Sequence, residues 1–422
     1  MAKTFREWNV EQTWLLPPSV MDFVPADHLA HFVRDTVREE LDLSEIMAAY
    51  EKEERGYPPY HPVMMTALLL YAYCQGLYSS RRIARACEER VDFMAVTGLN
   101  RPDFRTVSDF RKRHLEALGG LFVQVLKLCQ RAGLVSLGHV ALDGTKVKAN
   151  ASRHKAMSYA RMNESERRLR QEVRGWFDKA AAADAAEDRA HAGRRGDELP
   201  EWVASKQQRI EKIRAARAAL EAEARAQGQA TPKPKAQRNF TDADSRIMKS
   251  GNGFVQAYNG QAAVDEKAQV IVAQSLSNSA SDAQQLAPIL RQIKHNTGRQ
   301  AVELSADAGY CSEGNLAVLA RHQVRPYIAT GRQRHADAAA TGRRRTQSGT
   351  RVAAMRTSLA RAGRRSRYRL RKQLPEPVFG QIKQARGFRQ FLLRGLPKVQ
   401  GEWSLICTVH NLLKLARAQA SD

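Results

Sequence analysis

The chain has 422 residues, a formal net charge of +24 at pH 7 and a sequence pI of about 10.2. That length predicts two or three domains around a sizeable core, and that charge points to nucleic acid ahead of an anionic membrane surface. A spanning segment is excluded, because the longest apolar stretch, Val63 to Tyr73, is too short to cross a bilayer, and no signal-peptide pattern opens the chain.

Residues 20–132 read as mostly helical. Pro62 opens a helix carrying Met64, Met65, Leu68, Leu69 and Tyr73, and Ser79 or Ser80 caps the next. Asp103 and Thr106 precede a third helix from Val107 to Cys129 with apolar residues at near-helical spacing. Its start carries Arg105, Arg111, Lys112 and Arg113. This pattern fits a helix-turn-helix that lays a basic helix on DNA, and equally a plain helical bundle with a basic rim. His139 to Leu142 then reads as a short buried strand, with Asp143-Gly144 as a tight hairpin turn and Lys146 to Ala149 alternating outward. Residues 153–192 and 201–227 are rich in Ala, Arg and Glu and poor in large apolar residues. They predict two long helices forming an arm rather than a core, joined by a turn at 193–200. Trp176 and Trp202 flank that turn.

Strand patterns return at Phe254 to Asn259, Gln269 to Leu276, Ala301 to Asp307 and Val324 to Ala329, with helices between the later ones. This order predicts a mixed α/β sheet whose three early strands are antiparallel and whose later strands are parallel. Residues 331–372 hold 14 Lys/Arg against one acid, Asp337, and predict a loose segment that a polyanion would neutralise. Pro377 fits a first helical turn and Gly387 the position past a helix end; residues 402–417 form a closing helix. The five cysteines contain no C-x-x-C pair and read as buried thiols of a reducing cytoplasm.

Three separated carboxylates carry the chemistry: Asp143, Asp307 and Glu376. Each has a bland reading, as a turn residue, a strand terminator and a partner of a helix dipole. Together they are two strand ends and a helix start, where sites form in α/β sheets. Three carboxylates brought together repel unless cations balance them, and two Mg²⁺ ions (or Mn²⁺) would do so while clamping a phosphodiester. Lys383, two helical turns after Glu376, either reaches a phosphate or is a surface lysine. Lys146, close after Asp143, is a second candidate for DNA. Tyr258, Asn259 and Gln261 either touch DNA near the site or pair within the sheet.

The segments Leu142-Asp143-Gly144-Thr145-Lys146, Tyr258 to Asp265, Ala306-Asp307-Ala308-Gly309-Tyr310, Pro375 to Lys383 and His410 to Leu415 resemble, in that order, the motifs of bacterial insertion-sequence transposases of the DDE type. The resemblance implies a ribonuclease-H-like catalytic domain at 136–152 and 236–422, interrupted by a helical arm at 153–235. An all-α DNA-binding or dimerisation domain at 1–135 would precede it. It implies Asp143, Asp307 and Glu376 as ligands of two Mg²⁺ ions, with cleavage and strand transfer at the terminal inverted repeats of an element and into target DNA. It also implies a homodimer on DNA in the bacterial cytoplasm, associated with the nucleoid. Tyr368, Arg371, Glu376 and Lys383 match in type the Tyr, Arg, Glu, Lys signature of the wider superfamily. A DNA-binding protein that no longer cuts, and a stand-alone nuclease of the same fold, are the rival readings.

Overall fold

The computed structural model describes residues 19–50, 58–187, 201–226, 228–250, 253–331, 349–363 and 366–420. Trp8, Trp14, the turn at 193–200 and much of the Arg-rich stretch lie outside the described residues. The chain divides into two units, Met1–Leu128 with Thr408–Asp422, and Cys129–Cys407.

The first unit is helical: α1 (Leu29–Asp35), α2 (Ser44–Ala48), α3 (Pro62–Cys74), α4 (Ser80–Glu89), α5 (Val91–Thr97), α6 (Phe104–Arg113) and most of α7 (Leu115–Arg131). Helix α3 starts at Pro62, whose missing N–H costs nothing in a first turn, and it is buried almost all round, from Met65 to Cys74. Asp103 caps α6 by accepting from Thr106 N at 2.6 Å.

Two expectations for this unit are corrected. The long helix expected from Val107 to Cys129 is broken at His114, which leaves helical geometry (φ −106, ψ 18). Its buried ring stacks on Tyr50 and lies 3.0 Å from that phenol oxygen, so packing sets the break. The basic start of the helix is also not one exposed face. Arg111 is buried and donates to Tyr73 Oη at 3.1 Å and to the Tyr78 carbonyl at 2.9 Å. Only Lys112 and Arg113 of that trio are exposed.

The second unit is built on a mixed sheet of β1 (His139–Lys148), β4 (Arg246–Ser250), β5 (Gly253–Asp265), β6 (Ile271–Ser277), β7 (Glu303–Ala306) and β8 (Arg325–Ile328). The order is β4-β5-β1-β7-β8, with β6 also on β5. Strands β1, β5 and β6 run antiparallel in turn, whereas β7 and β8 are parallel to β1. The expected sheet is therefore present, but the hairpin at Asp143-Gly144 is not. Strand β1 runs straight through, Asp143 opposite Ala262 and Gly144 opposite Gln261. Antiparallel pairing with β5 continues from Val140 to Lys148 and satisfies backbone groups through Asp143-Gly144 without a turn.

Helices α10 (Leu286–Thr297) and α11 (Glu313–Arg321) connect the later strands. Helix α15 (Leu396–Gln419) seats the fully buried Trp403 against β5, its Nε1 donating to the Gln261 carbonyl at 3.2 Å. Gly260 permits this approach, since a Cβ there would lie 3.0 Å from the indole. Within the described part of the Arg-rich stretch, α12 (Arg351–Ala362) is capped by Thr350 and by Glu313, which accepts from Arg351 N and Val352 N. Short helices α13 (Leu370–Gln373) and α14 (Pro375–Gly380) follow.

The arm is two helices, α8 (Tyr159–Glu187) and α9 (Glu201–Ala226), rooted on the small β2 (Ala156–Ser158) and β3 (Gln237–Asn239) pair. Contrary to expectation it has a small core, Met162, Leu169, Ile210, Ile213, Ala216 and Leu220. Widely spaced apolar positions on two facing helices suffice when Ala lets them approach closely. Glu166, 3% exposed, is held there by Arg170, Arg214 and Arg217. Among the described residues no helix is long and apolar enough to cross a membrane. The five cysteines are free; all are buried except Cys311, which is half-buried.

Candidate active site

Parallel pairing of β1 with β7 sets the site. Leu142 stands opposite Ala306 as the last registered pair, so Asp143 and Asp307 are the next residues on neighbouring strands. Adjacent strands lie about 4.8 Å apart, and residues in register share a face, so the two carboxylates stand side by side. Burial pushes the Asp143 carboxyl up to about 7; Asp307 and Asp282 add repulsion, while Arg371 and the Gly144 N–H oppose the rise. Asp143 Oδ1 accepts from Gly144 N at 2.9 Å, and Asp307 Oδ1 accepts from Gly309 N at 2.8 Å, starting a single helical turn.

Glu376 lies in the first turn of α14, where the helix dipole favours a carboxylate. It is half exposed, and its Oε1 lies 3.9 Å from Arg371 Nη2. Helices α13 and α14 pack against β1, and α13 also against β7. Tyr368 is half-buried. Burial raises its phenol above the usual range; Arg371 opposes this, while Asp307, Asp143 and Glu376 reinforce it. Asp143, Asp307, Glu376 and Arg371 therefore all lie within electrostatic reach of Tyr368.

A salt-bridged network anchors this arrangement. Arg367 pairs with Glu303 at 2.9 Å and with Glu266, and Glu303 also accepts His139 at 3.2 Å in the buried interior of β1 and β7. Arg367 thus holds the segment that carries Tyr368 and Arg371 onto the sheet.

Lys383 turns inward, donating to Thr145 Oγ1 at 2.5 Å and to the Lys146 carbonyl at 2.8 Å. Burial, with the nearby Lys146, lowers its amine to about 8. Lys146 itself donates to the Ala280 carbonyl at 3.3 Å and stands 3.6 Å from Asp282. Asn259 and Gln261 are fully buried in the sheet, as is Tyr258, which donates to Asp242 at 2.7 Å. In the helical unit, Lys112 pairs with Asp109 at 3.2 Å, and Arg113 donates to the Ala49 carbonyl while covering the Tyr50 ring.

The donor chemistry suits a hard divalent cation. Asp143 and Asp307 offer only oxygen, and Arg371 balances their repulsion in part. Among the described residues, however, no three His, Cys, Asp or Glu side chains converge closely enough to enclose an ion. Glu376 faces Arg371 instead. Sequence reasoning missed Asp282, which lies in the loop between β6 and α10 and carries no local signal.

Comparison with known families places these observations. Residues 18–113 match the family model described as Transposase domain (DUF772), and residues 225–412 match that described as Transposase DDE domain. The second match includes Asp307 and Glu376; Asp143 falls between the two. No curated protein and no solved structure matches the chain.

Proposed function

Because the chain belongs to the insertion-sequence DDE transposases, we propose that it cuts DNA at the ends of its element and joins those ends to target DNA. The observation that carries this reading is the register of Asp143 beside Asp307 at the ends of two parallel strands. In it the α/β unit is ribonuclease-H-like, and Asp143, Asp307 and Glu376 hold two Mg²⁺ ions, with Mn²⁺ as a substitute. When bound, such ions supply an activated oxygen nucleophile and stabilise the leaving oxygen. The chain's residues position the DNA: Lys383 beside β1 and Lys146 on it, with Arg371 and Tyr368, meet phosphate oxygens. Release of Glu376 from Arg371 frees the carboxylate for metal and the guanidinium for phosphate.

The helical unit and the arm hold the terminal inverted repeats, and two copies pair the two ends. Lys112, one of the two exposed members of the Arg111–Arg113 trio, is suited to the backbone; Arg111 is not. The test is a labelled end duplex incubated with protein and Mg²⁺. Cleavage and joined products are expected from the parent, and neither from Asp143→Asn, Asp307→Asn or Glu376→Gln, all of which still bind. Full activity in Asp143→Asn, or cutting without divalent metal, would overturn the assignment. Cutting without joining would identify a nuclease, and salt-dependent binding without cutting a repurposed DNA-binding protein.

A further inference from the structure

Asp282 lies between β6 and α10, outside the three acidic segments. Its Oδ1 accepts from Asn259 Nδ2 at 2.6 Å and from Gln261 Nε2 at 2.8 Å, both from fully buried β5 side chains. Asn259 points its amide at this carboxylate and leaves its own buried Oδ1 without a hydrogen-bond partner, a cost the sheet bears. The carboxylate, with the Gln261 amide, fills the space a side chain would need at Gly144, and it lies in van der Waals contact with the Cβ position of Gly309. A Cβ on Gly144 would lie 2.8 Å from Asp282 Oδ1, and one on Gly309 would lie 3.4 Å from Oδ2. These glycines are one residue past Asp143 and two past Asp307.

The same network grips the second segment twice more. Gln261 Oε1 accepts from the buried Tyr310 hydroxyl, and Asn315 Nδ2 donates to both Ala283 O and Tyr310 O at 2.8 Å. Side chains alternate along β1, so Asp143 points to the opposite face from Gly144, Gln261 and Asp282. Asp282 therefore approaches Asp143 from the other face of β1, whereas Asp307, past the end of β7, borders Asp282 directly: Asp307 Oδ1 and Asp282 Oδ2 lie 2.9 Å and 3.4 Å from one Cβ position at Gly309.

We propose that Asp282 is a positioning residue for DNA cleavage: it packs against the backbone at Gly144 and Gly309, on the Gly144 face of β1, and so fixes the separation of the Asp143 and Asp307 carboxylates. The inference rests on the reading of those two carboxylates as the reacting pair.

The test uses the full chain. Single-turnover cleavage of an end duplex and end affinity are measured, together with Mn²⁺ affinity by titration calorimetry without DNA. Asp282→Ala is expected to slow cleavage at least tenfold and weaken Mn²⁺ binding several-fold, with end affinity within twofold of the parent. Asp282→Asn keeps an acceptor for Asn259 and Gln261 and is expected to recover most of both losses. Gly144→Ala, which drives a methyl into the Gln261 amide and the carboxylate it holds, should resemble Asp282→Ala. If Asp282→Ala does not fold, Asp282→Asn against Gly144→Ala decides: near-parent values in the first with losses in the second support the clamp. Cleavage and Mn²⁺ binding within twofold of the parent in Asp282→Ala or Gly144→Ala overturn it. So does an Asn variant with a tenfold loss, because charge would then matter rather than the clamp. Asp143→Asn run in parallel separates the two readings: full cutting there sinks the catalytic assignment itself, whereas its loss beside an unaffected Asp282→Ala overturns only the positioning role.

Discussion

Lys383 Nζ sits 2.5 Å from Thr145 Oγ1, joining the helical turn after Glu376 to the strand that carries Asp143 across 238 residues of sequence. Burial depresses this amine to about 8 from its ordinary 10.5, so between those values the folded chain binds fewer protons than the unfolded one. Stability from this group therefore rises as pH climbs through that window. Phosphate binding favours the ammonium, so above about pH 8 it must take up a proton. End affinity is expected to fall between pH 8 and 10 in the parent and to be flat in Lys383→Gln. At pH 7 the variant should bind about tenfold more weakly, the value of one charge-assisted contact. Electrophoretic binding assays across that range check both; parallel slopes in the two proteins would remove Lys383 from the phosphate contacts.

Asp143 obeys the opposite sign. Its folded carboxyl, near 7, holds a proton that the unfolded chain releases near 3.8. The metal-free fold thus loses stability as pH rises from about 4 to 7, and the full penalty persists above 7. Asp143→Asn removes that penalty and is expected to stabilise the metal-free protein at pH 8 by about 2–4 kcal/mol, with little effect at pH 4. Mg²⁺ or Mn²⁺ should raise the melting temperature of the parent and leave that of Asp143→Asn nearly unchanged. Thermal scans with and without a chelator measure this, and equal metal-induced shifts in both proteins would contradict it.

Arg111 separates packing from DNA contact. Arg111→Ala leaves the Tyr73 hydroxyl and the Tyr78 carbonyl without their donor and opens a gap between α3 and α6. A loss of about 2–3 kcal/mol is expected in denaturant melts, with the salt dependence of DNA binding unchanged. Lys112→Ala should do the reverse, leaving stability within about 0.5 kcal/mol and lowering the salt slope by about 1.

These contrasts mark what was legible in the sequence. The strand before Asp307 was legible, although its burial does not alternate, since Glu303 and Ser305 are buried and Val302 is exposed; Pro377 with Gly387 bracketed the helix of Glu376, because breakers are local signals. Arg111 misled, since charge alone does not say which way a helical arginine faces; that depends on Tyr73 and Tyr78 across the bundle. Asp143-Gly144 misled for a related reason. A dipeptide common in turns is overruled when a long neighbouring strand, here β5, supplies backbone partners through it. Asp282 was invisible because its role exists only where β5 side chains and two distant glycines meet.

The arm offers a test of modularity. Ser158 pairs with Gln237 at the base of the β2–β3 ladder, so a short turn can replace residues 159–236 without pulling on β1. The arm's core is its own, but Glu223 of α9 pairs with Arg238 and Arg246, and the excision frees both cations. Charges that gain access to water cost little, so the sheet is expected to stay folded with its melting temperature lowered by only a few degrees. The groove between α8 and α9 is lined by Arg167, Arg170, Arg174, Arg214 and Arg217 against Glu166 and Glu211, a net excess of three cations for phosphates. Its loss should weaken end binding and reduce the salt slope by about 2–3. Circular dichroism and filter binding at several salt concentrations supply the measurement. An unfolded product, or end binding with an unchanged slope, would show that the arm belongs to the core rather than to the DNA.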